Sequence, residues 1–360
     1  MFAARAGTRR RRWSGVTAFD VVIVPDFSGK ARVTFEARTL YFLASWLEYA
    51  GAAARWPLHV ACIGEPPASV RALAARCNAI LSIHEKAPLG VYANKLRGFE
   101  IARQTPRILL LDVDILVLSD LSELAAIVPD GAISAGPSHS AIMAPEMWSE
   151  LYARLGLTPP RERIPDFHQT LDMERAKQLF PSFNSGVIAA PHDSPLLGLW
   201  QDHLAVLQAI PDSAQRIGQF REGWTAAKAP RTASITDEPP FATAVHLLRE
   251  RGHGFVPLPD RYNGRWRHLY RRSPSLDELA VFHMTTSFAY GDSLADKLRP
   301  TAWGYQNKLL RRYGRRWLEH SGSRVRDAVN YLLPASLELL RLRPILQTLY
   351  TKHIAPVAAG

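Results

Sequence analysis

The chain has 360 residues, 47% of them hydrophobic and 21% charged, which is enough apolar content for one large core plus an appendage. Its formal charge of +11 sits at the ends: residues 1–18 hold five arginines and no acid, residues 310–360 hold nine basic residues against Glu319, Asp327 and Glu338, and residues 19–309 are formally neutral. A neutral body excludes a nucleic-acid-binding main surface, because such domains carry positive charge on the fold itself, and the lack of any unbroken run of about 18 apolar residues excludes a spanning helix.

Residues 1–18 read as a basic, disordered tail without the apolar stretch of a secretory signal. Together with the basic C-terminus they suit attraction to an anionic membrane surface, so the protein is expected in the cytoplasm, soluble or peripheral at the inner face of the membrane. Residues 19–25 (FDVVIVP) form a short, β-branched apolar run, and residues 34–50 look helical, closed by Gly51. The pattern repeats with a strand at 58–63 and a helix at 67–77, then a strand at 79–83 and a helix at 93–104, before the strand 107–111. Alternating strands and helices imply a parallel, doubly wound sheet. Cys62 and Cys77 fall within these elements with no CxxC spacing, and read as reduced, buried thiols.

Beyond Asp114 the rhythm loosens. Residues 115–118, 132–136 and 183–190 look like strands, while 156–182 and 209–236 are rich in Pro, Arg, Asp and Gln and read as loops over the substrate side. From about residue 303 the pattern turns helical and basic, with Pro334 and Pro344 as breaks. Arginines interleaved with Trp317, Tyr331 and leucines suit either an amphipathic element on a membrane or a helical flap packed on the domain.

The sequence RILLLDVDILVL puts Asp112 and Asp114 just past the end of a buried strand, where open α/β sheets bind ligands. Two acids one residue apart point the same way, and next to an apolar core they call for a divalent cation; capping of neighbouring amides is the plainer use of such residues. A phosphotransferase DxDx(T/V) loop fits less well, because Leu116 replaces its Thr or Val and three βα units precede the motif. Taken alone, His283 in LAVFHMTT reads as a core histidine, Lys95 as a lysine on a solvated helix face, Asn184-Ser185-Gly186 as a turn or bulge, and Asp237-Glu238 before two prolines as a helix cap.

The order of these pieces adds what none carries singly. The run LGVYANKL at 89–96, the DVD strand, Asn184-Ser185-Gly186-Val187, Asp237-Glu238, the run PDRYN at 259–263 and His283 follow one another in a series that resembles family-8 glycosyltransferases, over roughly residues 19–303. The resemblance implies a GT-A, Rossmann-like fold: a mixed, mainly parallel sheet flanked by helices, here with a basic helical extension at 304–360. It implies Mn²⁺ or Mg²⁺ held by Asp112, Asp114 and His283, a set that suits Mn²⁺, and a UDP-sugar donor bound by Asp26, Phe27, Lys95, Asp112, Val113, Asp114, Asn184, Ser185, Gly186 and Lys297. Asp237, Glu238 and Asn184 would be the catalytic residues, acting in transfer, with retention, to a sugar hydroxyl of a glycan or lipid-linked acceptor.

This chain also departs from that family. Glu238 stands where the family has Gln, Thr286 and Ala289 where its closing pattern has glycine and lysine, and the opening strand, Val24-Pro25-Asp26-Phe27, lacks the usual base-binding form. Lys297 or Arg299 would have to replace the closing lysine. The altered closing motif leaves open a non-catalytic protein that only binds the nucleotide-sugar.

Overall fold

A strand buried on both faces needs no polar alternation, and RILLL at 107–111 shows what that permits: every residue of the strand is buried. The computed structural model describes residues 19–138, 142–165, 178–217, 237–265, 275–284, 293–298 and 333–358. In chain order the elements begin with β1 (Phe19–Ile23), α1 (Arg32–Tyr49), β2 (Leu58–Ile63), α2 (Ala68–Arg76) and β3 (Ile80–His84). A run of 3₁₀ turns at Val91–Glu100 leads to β4 (Arg107–Leu111), β5 (Ile115–Val117), α3 (Leu124–Ile127), β6 (Ile133–Pro137) and α4 (Pro145–Arg154). The short pair β7 (Ile164–Pro165) and β8 (Gln178–Leu179) precedes β9 (Phe183–Pro191), α5 (Leu196–Gln208), α6 (Glu238–Glu250) and β10 (Phe255–Pro257). Last come β11 (Gly264–Arg265), β12 (Val281–His283), α7 (Leu294–Leu298), α8 (Leu333–Leu349), a π turn at Tyr350–Ile354 and α9 (Ala355–Ala358).

Seven strands form one sheet in the order β10-β6-β9-β4-β1-β2-β3. All its neighbours are parallel except β9, which runs antiparallel to both β4 and β6. The expected mixed, mainly parallel α/β sheet flanked by helices is therefore the observed one. Successive side chains of a strand point to opposite faces, and here they split between two cores. Phe19, Val21, Ile23, Leu109 and Leu111 join one core with α1, α2 and the C-terminal helices. Val22, Ile108 and Leu110 join the other with α4, α5 and α6. A second, three-stranded sheet, β11-β12-β5, lies beside the first and continues the chain from Asp114.

The N-terminal end of the strands carries a buried polar pin. Asp20 on β1 has no exposed surface and accepts hydrogen bonds from the amides of Gln104 and Thr105, both at 3.0 Å. The rings of His192 at 2.8 Å and His59 at 3.3 Å meet the same carboxylate. Burial alone would raise its pKa, but the His192 and His59 contacts hold it well below the usual range. Cys62 and Cys77 are free and buried, and burial pushes both thiols up to about 12, as expected for inert core residues.

Several expectations need correction. The helix at 93–104 is a run of 3₁₀ turns ending at Glu100; Gly98 lies so close to the sheet that a Cβ there would meet Leu110 Cδ1 at 2.7 Å. The loops expected at 156–182 contain the β7–β8 pair. Pro344 does not break the helix: α8 runs on through it, while the residues before Pro334 that would test a break there lie outside the described ones. Leu342, Leu346 and Leu349 are buried in the α1 core, and that packing holds the helix where propensity would end it. The expected tail at 1–18 and the residues from 303 to 332 lie outside the described residues. No described helix is long and apolar enough to cross a membrane.

Candidate metal centre and donor site

Two ladders bring the acids and the histidine together. β4 ends at Leu111, and Asp112 follows with its amide donating to Gly186 O at 2.8 Å. β5 begins one residue after Asp114 and pairs antiparallel with β12 in a register that sets Ile115 opposite His283. His283 thus arrives next to the DVD turn from 169 residues away, its Nε2 3.1 Å from Asp114 Oδ1 and 3.5 Å from Asp112 Oδ2. The candidate ligand atoms of Asp112, Asp114 and His283 all lie within 4.8 Å of one another.

The other ring nitrogen shows what this arrangement suits. His283 Nδ1 lies 3.2 Å from Asn184 Oδ1 and 3.3 Å from Asn263 Oδ1. Asn184 is oriented by the Gly186 amide and Asn263 Nδ2, which donate to its Oδ1 at 3.2 and 2.8 Å, and by its own Nδ2, which donates to Glu238 Oε1 at 2.7 Å. Two carbonyl oxygens at Nδ1 keep the proton there, so the Nε2 lone pair faces two carboxylates. An Nε2 facing two carboxylates is satisfied by a proton, as an imidazolium, or by a cation between the three groups, and an oriented imidazole with two carboxylates is a donor set that fits Mn²⁺ or Mg²⁺.

Lys95, on the 3₁₀ run, closes the other side of Asp112. Its Nζ lies 2.7 Å from Asp112 Oδ1 and 2.9 Å from Asp237 Oδ2, and it donates to Ser185 O at 3.1 Å and Ser185 Oγ at 2.9 Å. Ser185 Oγ in turn donates to Asp237 Oδ2 at 2.7 Å. Burial works against the Lys95 ammonium, but Asp112 and then Asp237 outweigh it and raise its pKa. Asp112 is pushed up chiefly by burial, against the pull of Lys95 and His283. Asp114 goes the other way: burial opposes ionisation, yet His283 and then Arg38, with Nη2 at 3.8 Å, hold it well below the usual range. The plain helix-cap reading of Asp237 fails: it stands at the N-cap of α6, but its side chain makes no capping bond and turns to Lys95 and Ser185.

The structure therefore gathers Lys95, Asp112, Asp114, Asn184, Ser185, Gly186, Asp237, Glu238 and His283 at the strand ends, with Val113 buried between the two acids. Asp26 is tied to the group through its neighbours: Ser28 N donates to Oδ1 at 2.9 Å, and Asn94 Nδ2, adjacent in the chain to Lys95, donates to Oδ2 at 3.0 Å. Phe27 is only 3% exposed and belongs to the α1 core. Lys297 lies buried on α7, and among the described residues no ion pair or hydrogen bond joins its ammonium to Asp112 or Asp114; Arg299, Thr286 and Ala289 lie outside the described residues. Sequence reasoning missed Arg38 on α1, Ser138, which donates to Glu238 Oε2 at 3.0 Å, and Arg265 on β11, directly opposite His283 in the ladder. Burial lowers the Arg265 pKa against the pull first of Glu238 and then of Asp112. Asn263 closes the run PDRYN at 259–263, which marks it in the sequence; nothing local marks the arginines.

Gly186 has no room for a side chain. A Cβ there would meet His283 Cε1 at 2.3 Å and Nδ1 at 2.6 Å. Gly186→Ala is expected to cost about 1–3 kcal/mol of stability through overpacking and, by turning the imidazole, to weaken Mn²⁺ binding about 10–100-fold. Calorimetric titration of the variant with Mn²⁺, next to its melting curve, separates the two effects.

A model of the Rhodobacterales glycosyltransferase domain matches residues 32–225, more than half of the chain. No curated protein matches the sequence. Among solved structures, apo mouse xyloside xylosyltransferase 1 is similar at 16% identity and a TM-score of 0.40, over 74% of this chain and 97% of that one. The galactosyltransferase LgtC, solved with donor and acceptor sugar analogues, is similar at 16% identity and a TM-score of 0.39, over 75% of this chain and 88% of that one. The apo glycosyltransferase GlyE of Streptococcus pneumoniae is similar at 9% identity and a TM-score of 0.39, over 75% of this chain and 55% of that one. On the family match, this chain belongs to the Rhodobacterales glycosyltransferase domain family.

Proposed function

We propose that this glycosyltransferase is metal-dependent and family-8-like, moving a sugar, with retention, from a uridine diphosphate donor to a sugar hydroxyl of a glycan or glycolipid. The observation that carries the reading is the Asp112–Asp114–His283 cluster, in which the imidazole commits Nδ1 to asparagine oxygens and turns Nε2 to the two acids. Those three residues would hold Mn²⁺ or Mg²⁺. The cation's chemistry there is charge neutralisation as a nucleoside diphosphate departs. Lys95 holds Asp112 and Asp237 in place, and its ammonium lies where donor oxygens would compete for its protons. Asn184 and Ser138 fix both oxygens of Glu238, so that a carboxylate stands oriented for the acceptor hydroxyl or for a positively polarised sugar carbon. Asp237, neutralised by Lys95, is the second group able to accept a hydroxyl proton in a hydrogen bond.

Residues 19–303 form the transferase domain in this reading, and 304–360 a helical extension. Burial of Leu346, Leu349 and Ile354 in the α1 core supports the packed extension, as do the ion pairs of Lys352 with Glu48 at 2.6 Å and of Arg341 with Asp277. The arginines of residues 1–18 and 311–326 support an acceptor presented at an anionic lipid surface on the cytoplasmic side.

A thermal-shift screen of nucleotide sugars tests the core of this reading. A UDP-sugar at about 100 times its Kd should stabilise the protein by about 2.7 kcal/mol, with Mn²⁺ present and not with a chelator. Stabilisation by no nucleotide sugar, or equal stabilisation without metal, would sink it. The anomeric configuration of the sugar product, read by NMR, tests retention separately.

A further inference from the structure

Arg38 lies in the second turn of α1, and its Nη2 is 3.8 Å from Asp114 Oδ2, whereas His283 Nε2 meets the other oxygen, Oδ1, at 3.1 Å. The arginine contact is longer than a hydrogen bond, and 20% of the Arg38 side chain remains exposed. Its guanidinium is therefore held near the cluster by charge, and among the described residues no hydrogen bond occupies its donors. Lys95 is in the opposite condition, saturated by Asp112, Asp237 and both oxygens of Ser185. Arg265 is buried, 7% exposed, beneath the cluster.

The cation site gives Arg38 its role. Asp114 is the carboxylate that Arg38 faces, and a divalent cation held at Asp112, Asp114 and His283 would take up that carboxylate. An anion adjoining both the cation site and Arg38 would then be the acceptor within reach of the guanidinium, as the diphosphate of a nucleoside diphosphate sugar is. A planar guanidinium with several donors suits phosphate oxygens. Among the described residues, the other nearby candidate cation, Lys297 on α7, makes no ion pair with Asp112 or Asp114.

We propose that Arg38 binds the diphosphate of the donor, an assignment that rests on the nucleoside diphosphate reading above. The test is calorimetric titration of the Mn²⁺-loaded full-length protein with UDP, UMP and inorganic pyrophosphate, comparing wild type with Arg38→Ala and Arg38→Lys. Arg38→Ala should weaken UDP at least tenfold and UMP less than twofold, and Arg38→Lys should recover part of the loss. Pyrophosphate should weaken in step with UDP if the diphosphate itself is the ligand. Mn²⁺ titrated alone should bind Arg38→Ala no more weakly than wild type, because a competing cation has left Asp114; weaker Mn²⁺ binding would show that Arg38 merely supports the cluster and overturn the assignment. Wild-type UDP affinity in Arg38→Ala, or equal losses for UDP and UMP, would overturn it as well. Failure of the wild-type protein to bind UDP would instead overturn the donor reading itself. Melting curves of both variants confirm that folded protein is being titrated.

Discussion

Asp114→Ala is expected to abolish Mn²⁺ binding and to lower UDP-sugar turnover about 10³-fold or more. Asp114 is the acid that His283 approaches most closely, at 3.1 Å, so its loss leaves a single carboxylate and an imidazole 3.5 Å apart. Metal stabilisation of transition-state charge amounts to several kcal/mol, and each 1.36 kcal/mol is a factor of ten in rate. Some stability should be lost with the carboxylate, but the fold should survive, because Arg38 is partly exposed to water and His283 keeps its Nδ1 contacts with Asn184 and Asn263. Turnover of a UDP-sugar in Mn²⁺, with the metal affinity of wild type and variant measured in parallel, checks both halves. Turnover indifferent to this change would end the metal mechanism.

Lys95→Met should destabilise the protein by about 3 kcal/mol, near the lower end for breaking a buried ion pair. The methionine keeps much of the stem's packing and removes the ammonium. Asp112 and Asp237, with side chains 22% and 9% exposed, would then face each other without a counter-charge, and Ser185 O would lose its donor. Because Asp112 is also a candidate metal ligand, saturating Mn²⁺ should narrow the gap to wild type. Denaturant titration with and without Mn²⁺ reads this directly; a loss below about 0.5 kcal/mol would mean that the ammonium stabilises nothing that water does not replace.

Much of the sheet was legible because parallel strands buried on both faces leave an uninterrupted apolar record. Residues 58–63 and 107–111 are strands over the full expected lengths. The direction of β9 was not legible, since an apolar run reads the same whichever way its neighbours point. α5 was missed for a related reason: LLGLWQDHLAVLQ is apolar on most sides, so it carries a weak helical stripe. At the site, the order of short motifs pointed to Asp112, Asp114, Asn184, Asp237 and His283, and the structure puts them together. Arg38 and Arg265 were out of reach, because an arginine that turns inward looks like any other in sequence. Only the pairing of β11 with β12 and the approach of α1 to Asp114 set them apart.

The reversed strand β9 has a consequence for how such a protein can diversify. β4 hands Asp112 and Asp114 to the rim as the chain leaves the sheet, whereas β9 delivers Asn184, Ser185 and Gly186 as the chain enters it. Both ends of the intervening stretch are therefore anchored at one rim, one by the β4 ladder and the other by β9. Within that stretch β5, β6 and α4 are held by the sheets and cores, so the segment that follows α4 is the part whose length can drift, like a handle fixed at two rivets that keep their spacing. Insertion or deletion between α4 and β9 would then leave the spacing of Asp112, Asp114, Asn184 and Gly186 as it is.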